Sequence, residues 1–270
     1  MQSEPVDAHG QELASGERFA FGKNWARFLS LMSEERIADA VSSLQHMLEI
    51  EDLQGRTFLD IGSGSGLFSL AARRLGATVH SFDYDPQSVA CTAELRRRYF
   101  PGDLSWKVER GSALDESYVA SLGKFDVVYS WGVLHHTGSM WRALDIAEHA
   151  VAPAGTLFVS LYNQQGLASR YWTFVKRMYN EHPVTRPVWI TLHSIYPTLP
   201  SLLLKLMRGQ KYPRGMNPWV DLLDWLGGYP FEVARPAEVT GFYEKRGFRL
   251  LKLKDVGRRM GCNEFVLRRV

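Results

Sequence analysis

Apolar and polar positions alternate between two periods along most of this chain. Short apolar runs ending in polar or glycine-rich turns give way to stretches with a 3.6-residue repeat. Residues 57–61 form such a run, ending at Asp60-Ile61, and a helical pattern follows (Leu67, Phe68, Leu70, Ala71, Leu75). Ala77–Asp83 predicts a second strand, Pro86–Tyr99 a helix, and Trp106–Val108 a short strand. Phe125–Ser130 predicts a buried strand and Met140–Val151 a helix, after which Pro153-Ala154-Gly155 should turn into a strand over Thr156–Leu161. Strands alternating with helices predict an α/β fold, a mostly parallel sheet with helices on both faces.

The alternation breaks at Asn163. Through Gly228 the chain is aromatic-rich and proline-punctuated, with helical stretches such as Arg170–Tyr179 and Ser201–Arg208. It resumes with a helix over Pro236–Arg246, then strands near Phe248–Lys254 and Asn263–Arg268, joined as a hairpin around Gly257–Gly261. Upstream, residues 1–18 read as mobile, and Phe19–Leu31 is too apolar for a free tail. Ser33 caps an amphipathic helix carrying Ile37, Val41, Leu44, Met47 and Leu48. Four parts follow: an N-terminal arm and helix (1–50), a ligand-binding core (51–162), a helical insertion acting as a lid (163–230), and the end of the core (231–270).

The turn after the first strand carries the most specific chemistry. Asp60 is followed by glycines at 62, 64 and 66, with Ser63 between the first two. Glycine tolerates positive φ and has no Cβ, so a backbone there can approach a nucleotide-like ligand at a helix N-terminus. A dinucleotide fold would require a glycine at position 67, which is Leu. The second strand ends in Asp83, whose carboxylate can accept bonds from two vicinal ribose hydroxyls. Tyr84 next to it can pack on a base, and Asp85-Pro86 has the form of a helix N-cap followed by proline at the first turn.

The D-x-G-x-G-x-G turn, with Asp83 23 residues beyond Asp60, resembles the first motifs of class I S-adenosylmethionine-dependent methyltransferases. From 57 to 161 the motifs follow that family's order. The whole chain resembles bacterial members of the ubiquinone-biosynthesis-like, small-molecule type. The resemblance implies a Rossmann-like seven-stranded sheet with an antiparallel last strand and S-adenosyl-L-methionine as methyl donor. It places Ser112 and Ala113 at the adenine, and Ser130 and Trp131 beside the donor. The segment Gly132-Val133-Leu134-His135-His136 lies past the fourth strand. One of its two histidines can serve as general base; no further His/Cys cluster supports a metal. Trp25, Tyr162, Asn163 and Tyr229 are candidate acceptor contacts, and Glu232 joins the histidines as a candidate catalytic group.

Bulk properties narrow the partners. The 270 residues are 45% hydrophobic and 12% aromatic, sufficient for a sizeable core. No apolar run approaches the ~18–20 residues of a membrane span. The two isolated cysteines, Cys91 and Cys262, fit a reducing cytoplasm. The net charge of +3 is unevenly spread: residues 163–230 hold eight Lys or Arg against three acids. That bias favours an anionic small-molecule acceptor, or peripheral membrane contact by an amphipathic Ser201–Arg208. A nucleic-acid acceptor is disfavoured by the modest net charge and the lack of a basic tail. A non-catalytic donor-binding protein is the other alternative, and the intact glycine turn with Asp83 argues against it.

Overall fold

The computed structural model describes residues 8–19, 29, 32–194 and 218–270. They fall into two compact units, one within Gly22–Gln165 and Glu232–Val270, the other within Met1–Phe21 and Gly166–Phe231. The first is built on a seven-stranded sheet. In chain order its elements are α2 (Glu34–Leu48), β1 (Thr57–Ile61), α3 (Leu67–Arg74), β2 (Thr78–Asp83), α4 (Pro86–Tyr99) and β3 (Trp106–Arg110). Next come α5 (Glu116–Ser121), β4 (Phe125–Trp131), α6 (Met140–His149), β5 (Val151–Tyr162), α10 (Pro236–Glu244), β6 (Phe248–Lys254) and β7 (Cys262–Arg269). The sheet order is β3-β2-β1-β4-β5-β7-β6, with β1 to β5 parallel and β7 antiparallel to both neighbours. This is the Rossmann-like arrangement expected from the resemblance.

Because side chains alternate across a strand, each central strand feeds two cores. Phe58, Val79, Trp106, Val127, Tyr129 and Phe158 pack under α2, α3 and α4. Leu59, Ile61, Phe82, Val128, Leu157 and Val159 pack on the other face, against α5, α6 and α10. The chain order reverses direction between β1 and β4, so the loops leaving the carboxyl ends of β1, β2 and β4 gather at that edge, where open α/β sheets bind ligands.

Two expectations change. The turn at 153–155 is absorbed into one long β5, whose register against β4 shifts between Phe125 and Val127, with Ala154 at φ 55°. Pairing resumes on both sides of the proline, Val151 with Phe125 and Thr156 with Val127, so β5 carries three extra residues across this step. Residues 8–15, read as part of a mobile arm, form helix α1 (Ala8–Ser15). His9 on it is buried, and a Cβ at Gly16 would stand 2.6 Å from the Asn180 carbonyl oxygen. Tertiary packing supplies what α1's own sequence pattern does not show.

The second unit contains α1, α7 (Leu167–Glu181), α8 (Arg186–His193) and α9 (Pro218–Gly227). Its interior is aromatic. Trp172 meets Trp225 edge-to-face at 5.2 Å, and the fully buried Lys176 lies 4.1 Å from the Trp225 ring while donating to that residue's carbonyl. Asn180 donates to the Gly227 carbonyl at 2.9 Å, joining α7 to α9. Ser201–Arg208 and Trp25 lie outside the described residues.

Candidate active site

Between β1 and α3 the backbone makes a bend with Gly62, Gly64 and Gly66 at φ 78°, 55° and 81°. Space as well as φ demands glycine at two of them. A Cβ on Gly62 would stand 2.4 Å from a Val133 methyl, and one on Gly66 2.9 Å from the Thr92 Cα. The Gly62 and Ser63 amides donate to the Phe82 carbonyl at 2.9 and 3.1 Å, and the Gly66 amide to the Ser63 carbonyl at 2.8 Å. The buried Ser63 hydroxyl faces the Thr92 hydroxyl at 2.9 Å, so it braces the bend against α4.

Asp83, at the end of β2, clips the bend. One carboxylate oxygen accepts the Gly64 amide and the other the Asp85 amide, each at 2.9 Å. Burial pushes its carboxyl up to about 6, while the amides of Gly64 and Asp85 pull it back. Asp85 accepts from the Gln87 amide at 2.8 Å and caps α4, with Pro86 at the first turn, as its sequence predicts. Beside the clip, the Arg110 guanidinium lies 5.9 Å from the Tyr84 ring. Gly111 donates its amide to the Asp83 carbonyl at 3.0 Å, bringing the β3 loop alongside. In that loop Ser112 is half-buried, with its hydroxyl oxygen accepting the Leu114 amide at 3.2 Å. Ala113 packs on the core. Asp60 is buried, 2% exposed, and burial pushes its carboxyl up to about 7 against the pull of Ser69, which donates to it at 2.5 Å.

The loop after β4 is shaped differently. Ser130 is fully buried, and its hydroxyl donates to the Ile61 carbonyl at 2.9 Å. That side chain pins β4 to the end of β1. Trp131 is half-buried next to Gly132, whose φ is 76°. A single 3-10 turn, Leu134–His136, then sets the two histidines against Tyr162 at the end of β5. The His135 ring lies 4.1 Å from Tyr162 and 4.4 Å from His136, and His136 meets Tyr162 edge-on at 5.4 Å. Both histidines are buried. Among the described residues no group of three or more His, Cys, Asp or Glu side chains is placed to hold a metal ion.

Two more candidates meet partners within the chain. Glu232 turns its carboxylate onto the N-terminus of α6, where both oxygens accept the Met140 amide at 3.0–3.1 Å. Ser139, at the N-cap position, makes no side-chain bond there. A carboxylate suits the positive end of a helix. Glu232 also donates its own amide to the His135 carbonyl at 3.0 Å, which joins it to the histidine turn. Asn163 is buried, donates to the Gly257 carbonyl at 2.6 Å and accepts from Asn263 at 3.1 Å. It ties the end of β5 to the β6–β7 hairpin. Tyr229 lies in the helical unit, where its carbonyl accepts the Phe19 amide at 3.1 Å.

The residue type missed by sequence reasoning is the clamp: Thr92, Ser69 and Ser81 carry no motif, yet all three brace the bend or its acid.

A family described as a methyltransferase domain matches residues 27–196. The chain belongs to the class I S-adenosylmethionine-dependent methyltransferase family. Relatives of this methyltransferase include a ribosomal protein L11 methyltransferase of Methylococcus capsulatus, 49% identical over 57 residues, which are 21% of this chain and 20% of that one. A tRNA U34 carboxymethyltransferase of the same organism is 34% identical over 45% of this chain and 36% of its own length. A ubiquinone biosynthesis O-methyltransferase of Brucella ovis is 30% identical over 42% of this chain and 43% of its own. The methyltransferase thus spans less than half the length of each of these curated relatives.

Among solved structures, magnesium protoporphyrin IX methyltransferase from Synechocystis PCC 6803 with bound SAH superposes with a TM-score of 0.58 at 13% identity, covering 96% of this chain and all of that one. An O-methyltransferase family protein from Burkholderia thailandensis gives 0.52 at 16% identity, over 96% of this chain and 66% of that one. These superpositions show a shared fold.

Replacing Glu232 with Ala strips the N-terminus of α6 of its carboxylate. Chemical denaturation should show a loss of about 1–2 kcal/mol, the usual range for a lost helix cap.

Proposed function

We propose that this methyltransferase transfers the methyl group of S-adenosylmethionine to an oxygen or sulfur nucleophile of a small molecule or glycosyl intermediate. The observation that carries the donor half is the Asp83 clip on the glycine bend. Each carboxylate oxygen takes one backbone amide and retains acceptor capacity, which suits the two ribose hydroxyls. The bare bend at Gly62–Gly66 leaves the backbone open to the donor's methionine end, with the Asp60 carboxylate behind it to favour a cationic group. Tyr84, Ser112, Ala113 and the Trp131 backbone complete the proposed contacts around the adenine and ribose.

The donor supplies a methyl group on a sulfonium, which a lone pair must approach in line. The protein's part is then to position and to exclude water, effects worth up to roughly 7–11 kcal/mol in well-oriented systems. The His135–His136–Tyr162 cluster supports the acceptor half. It stands just past β4 and at the end of β5, on the ligand-binding edge of the sheet. We assign the general base to His136, with the fully buried His135 as its support. The relatives named above differ by name, a ribosomal protein L11 methyltransferase, a tRNA U34 carboxymethyltransferase and a ubiquinone biosynthesis O-methyltransferase, while the matches cover under half of each. That supports a common donor-binding part, and we assign acceptor choice to the chain-specific regions. The N-terminal arm and the 163–230 insertion are proposed as that part, and the insertion's excess of five positive charges favours an anionic acceptor.

Peripheral contact with an anionic bilayer is a second element of the proposal. Leu167, Arg170, Tyr171, Phe174 and Arg177 share one exposed face of α7, alternating apolar and cationic groups. Vesicles containing a third phosphatidylserine should co-sediment the protein, more weakly at high salt. Protein left wholly in solution contradicts this element.

For the donor half, titration calorimetry with S-adenosylmethionine should give at least tenfold weaker binding for Asp83→Ala, from a lost charge-assisted bond of about 1.5–3 kcal/mol. Unchanged affinity would show the ribose contact is misassigned. For the acceptor half, candidate phenols, sugar nucleotides and thiols are screened by S-adenosylhomocysteine release. With a hydroxyl acceptor so found, His136→Gln should lower kcat by about 10²–10⁴-fold without changing donor affinity. A wild-type kcat removes the base.

A further inference from the structure

A buried file of hydrogen bonds runs across four elements to Asp60. The Trp106 indole N–H on β3 donates to the Ser81 hydroxyl on β2 at 2.9 Å. Ser81 faces the Ser69 hydroxyl on α3 at 2.7 Å, and Ser69 donates to the Asp60 carboxylate at 2.5 Å. Trp106, Ser81 and Ser69 are fully buried and Asp60 is 2% exposed. Strand register sets the file, since Asp60 pairs with Ser81 while Trp106 pairs with Val79, two residues before Ser81 on the same face of β2.

Hydrogen counting gives the file a direction. An indole N–H donates and never accepts, and each serine hydroxyl has one proton. Ser69 commits its proton to Asp60, so the Ser69–Ser81 bond must use the proton of Ser81. Ser81 in turn accepts from Trp106. Every donor therefore points toward Asp60, and bonds ordered this way polarise one another. A protonated Asp60 donating to Ser69 would turn the Ser69 proton onto Ser81, whose oxygen would then accept from both Ser69 and Trp106 and leave its own buried proton without an acceptor, at a cost.

We propose that Trp106, Ser81 and Ser69 form a one-way relay that keeps Asp60 an acceptor, which makes Trp106 a positioning residue for methyl-donor binding from the far side of β2. This rests on the reading that Asp60 and the glycine bend take the donor. The relay is needed because Asp60 stands in a low-dielectric setting that favours its neutral form. The titratable groups around it are Asp83 at the end of β2 and Tyr129, which pairs with it on β4. The cations of α3, Arg73 and Arg74, are engaged at the opposite end of that helix, with Asp103 and Glu34.

The test is calorimetric binding of S-adenosylhomocysteine to the full chain at pH 8 and pH 6. Wild type, Trp106→Phe, Ser81→Ala and the double variant are compared, each with a thermal melt. If the relay acts, each single variant loses about fivefold or more affinity at pH 6 relative to wild type, the worth of roughly one hydrogen bond. The loss is smaller at pH 8, and the double variant is no weaker than Ser81→Ala. Wild-type affinity at both pH values, or losses that multiply in the double variant, overturns the relay. Should Trp106→Phe fail to melt cooperatively, Ser81→Ala decides alone, since it cuts the same link and leaves the indole's packing intact. Pronounced pH-dependent weakening then supports the relay and wild-type behaviour overturns it. A wild-type chain that binds no S-adenosylhomocysteine overturns the donor-site reading and the relay with it, and is told apart by that fact.

Discussion

A carboxylate bonded to the backbone amide of a glycine 19 residues earlier holds the functional edge of this protein together. Asp83 on β2 fixes Gly64, Phe82 receives the amides of Gly62 and Ser63, and Gly111 joins the same strand end from the β3 side. Three loops are thereby set by one residue and its neighbour. Without that clip, a stretch containing three glycines at positive φ would carry a large conformational freedom that folding must overcome. With it, a bare concave backbone is presented at the helix α3 N-terminus.

The edge is built twice over from polar groups that serve the fold. Ser63 and Thr92 brace the bend, Ser130 joins β4 to β1, and Glu232 caps α6 while its amide holds the histidine turn. Each of these atoms would be costly to leave unmet in such a buried setting. Their satisfaction within the chain holds Asp83 and the ring cluster of His135, His136 and Tyr162 in a defined geometry.

Features with a local cause were legible in the sequence. The glycine bend, the Asp85 cap and the parallel strands follow from φ requirements, capping chemistry and periodicity, all written within a few residues. What was not legible depends on partners far away along the chain. Glu232 meets Met140 across 92 residues and Asn163 meets Gly257 across 94, and nothing local tells a structural acid from a reacting one. Ser130 has the same ambiguity: a serine at a strand end looks alike whether its hydroxyl meets a ligand or a neighbouring carbonyl. Helix α1 escaped notice because its burial comes from the helical unit and not from its own pattern.

The central claim is that the bend between Asp60 and Leu67, held by Asp83, is the donor site. A crystal structure of the protein grown with S-adenosylhomocysteine tests it most directly. The ligand's ribose hydroxyls should lie within hydrogen-bond distance of Asp83 and its methionine end against Gly62–Gly64. A ligand bound elsewhere, with the bend empty, contradicts the account.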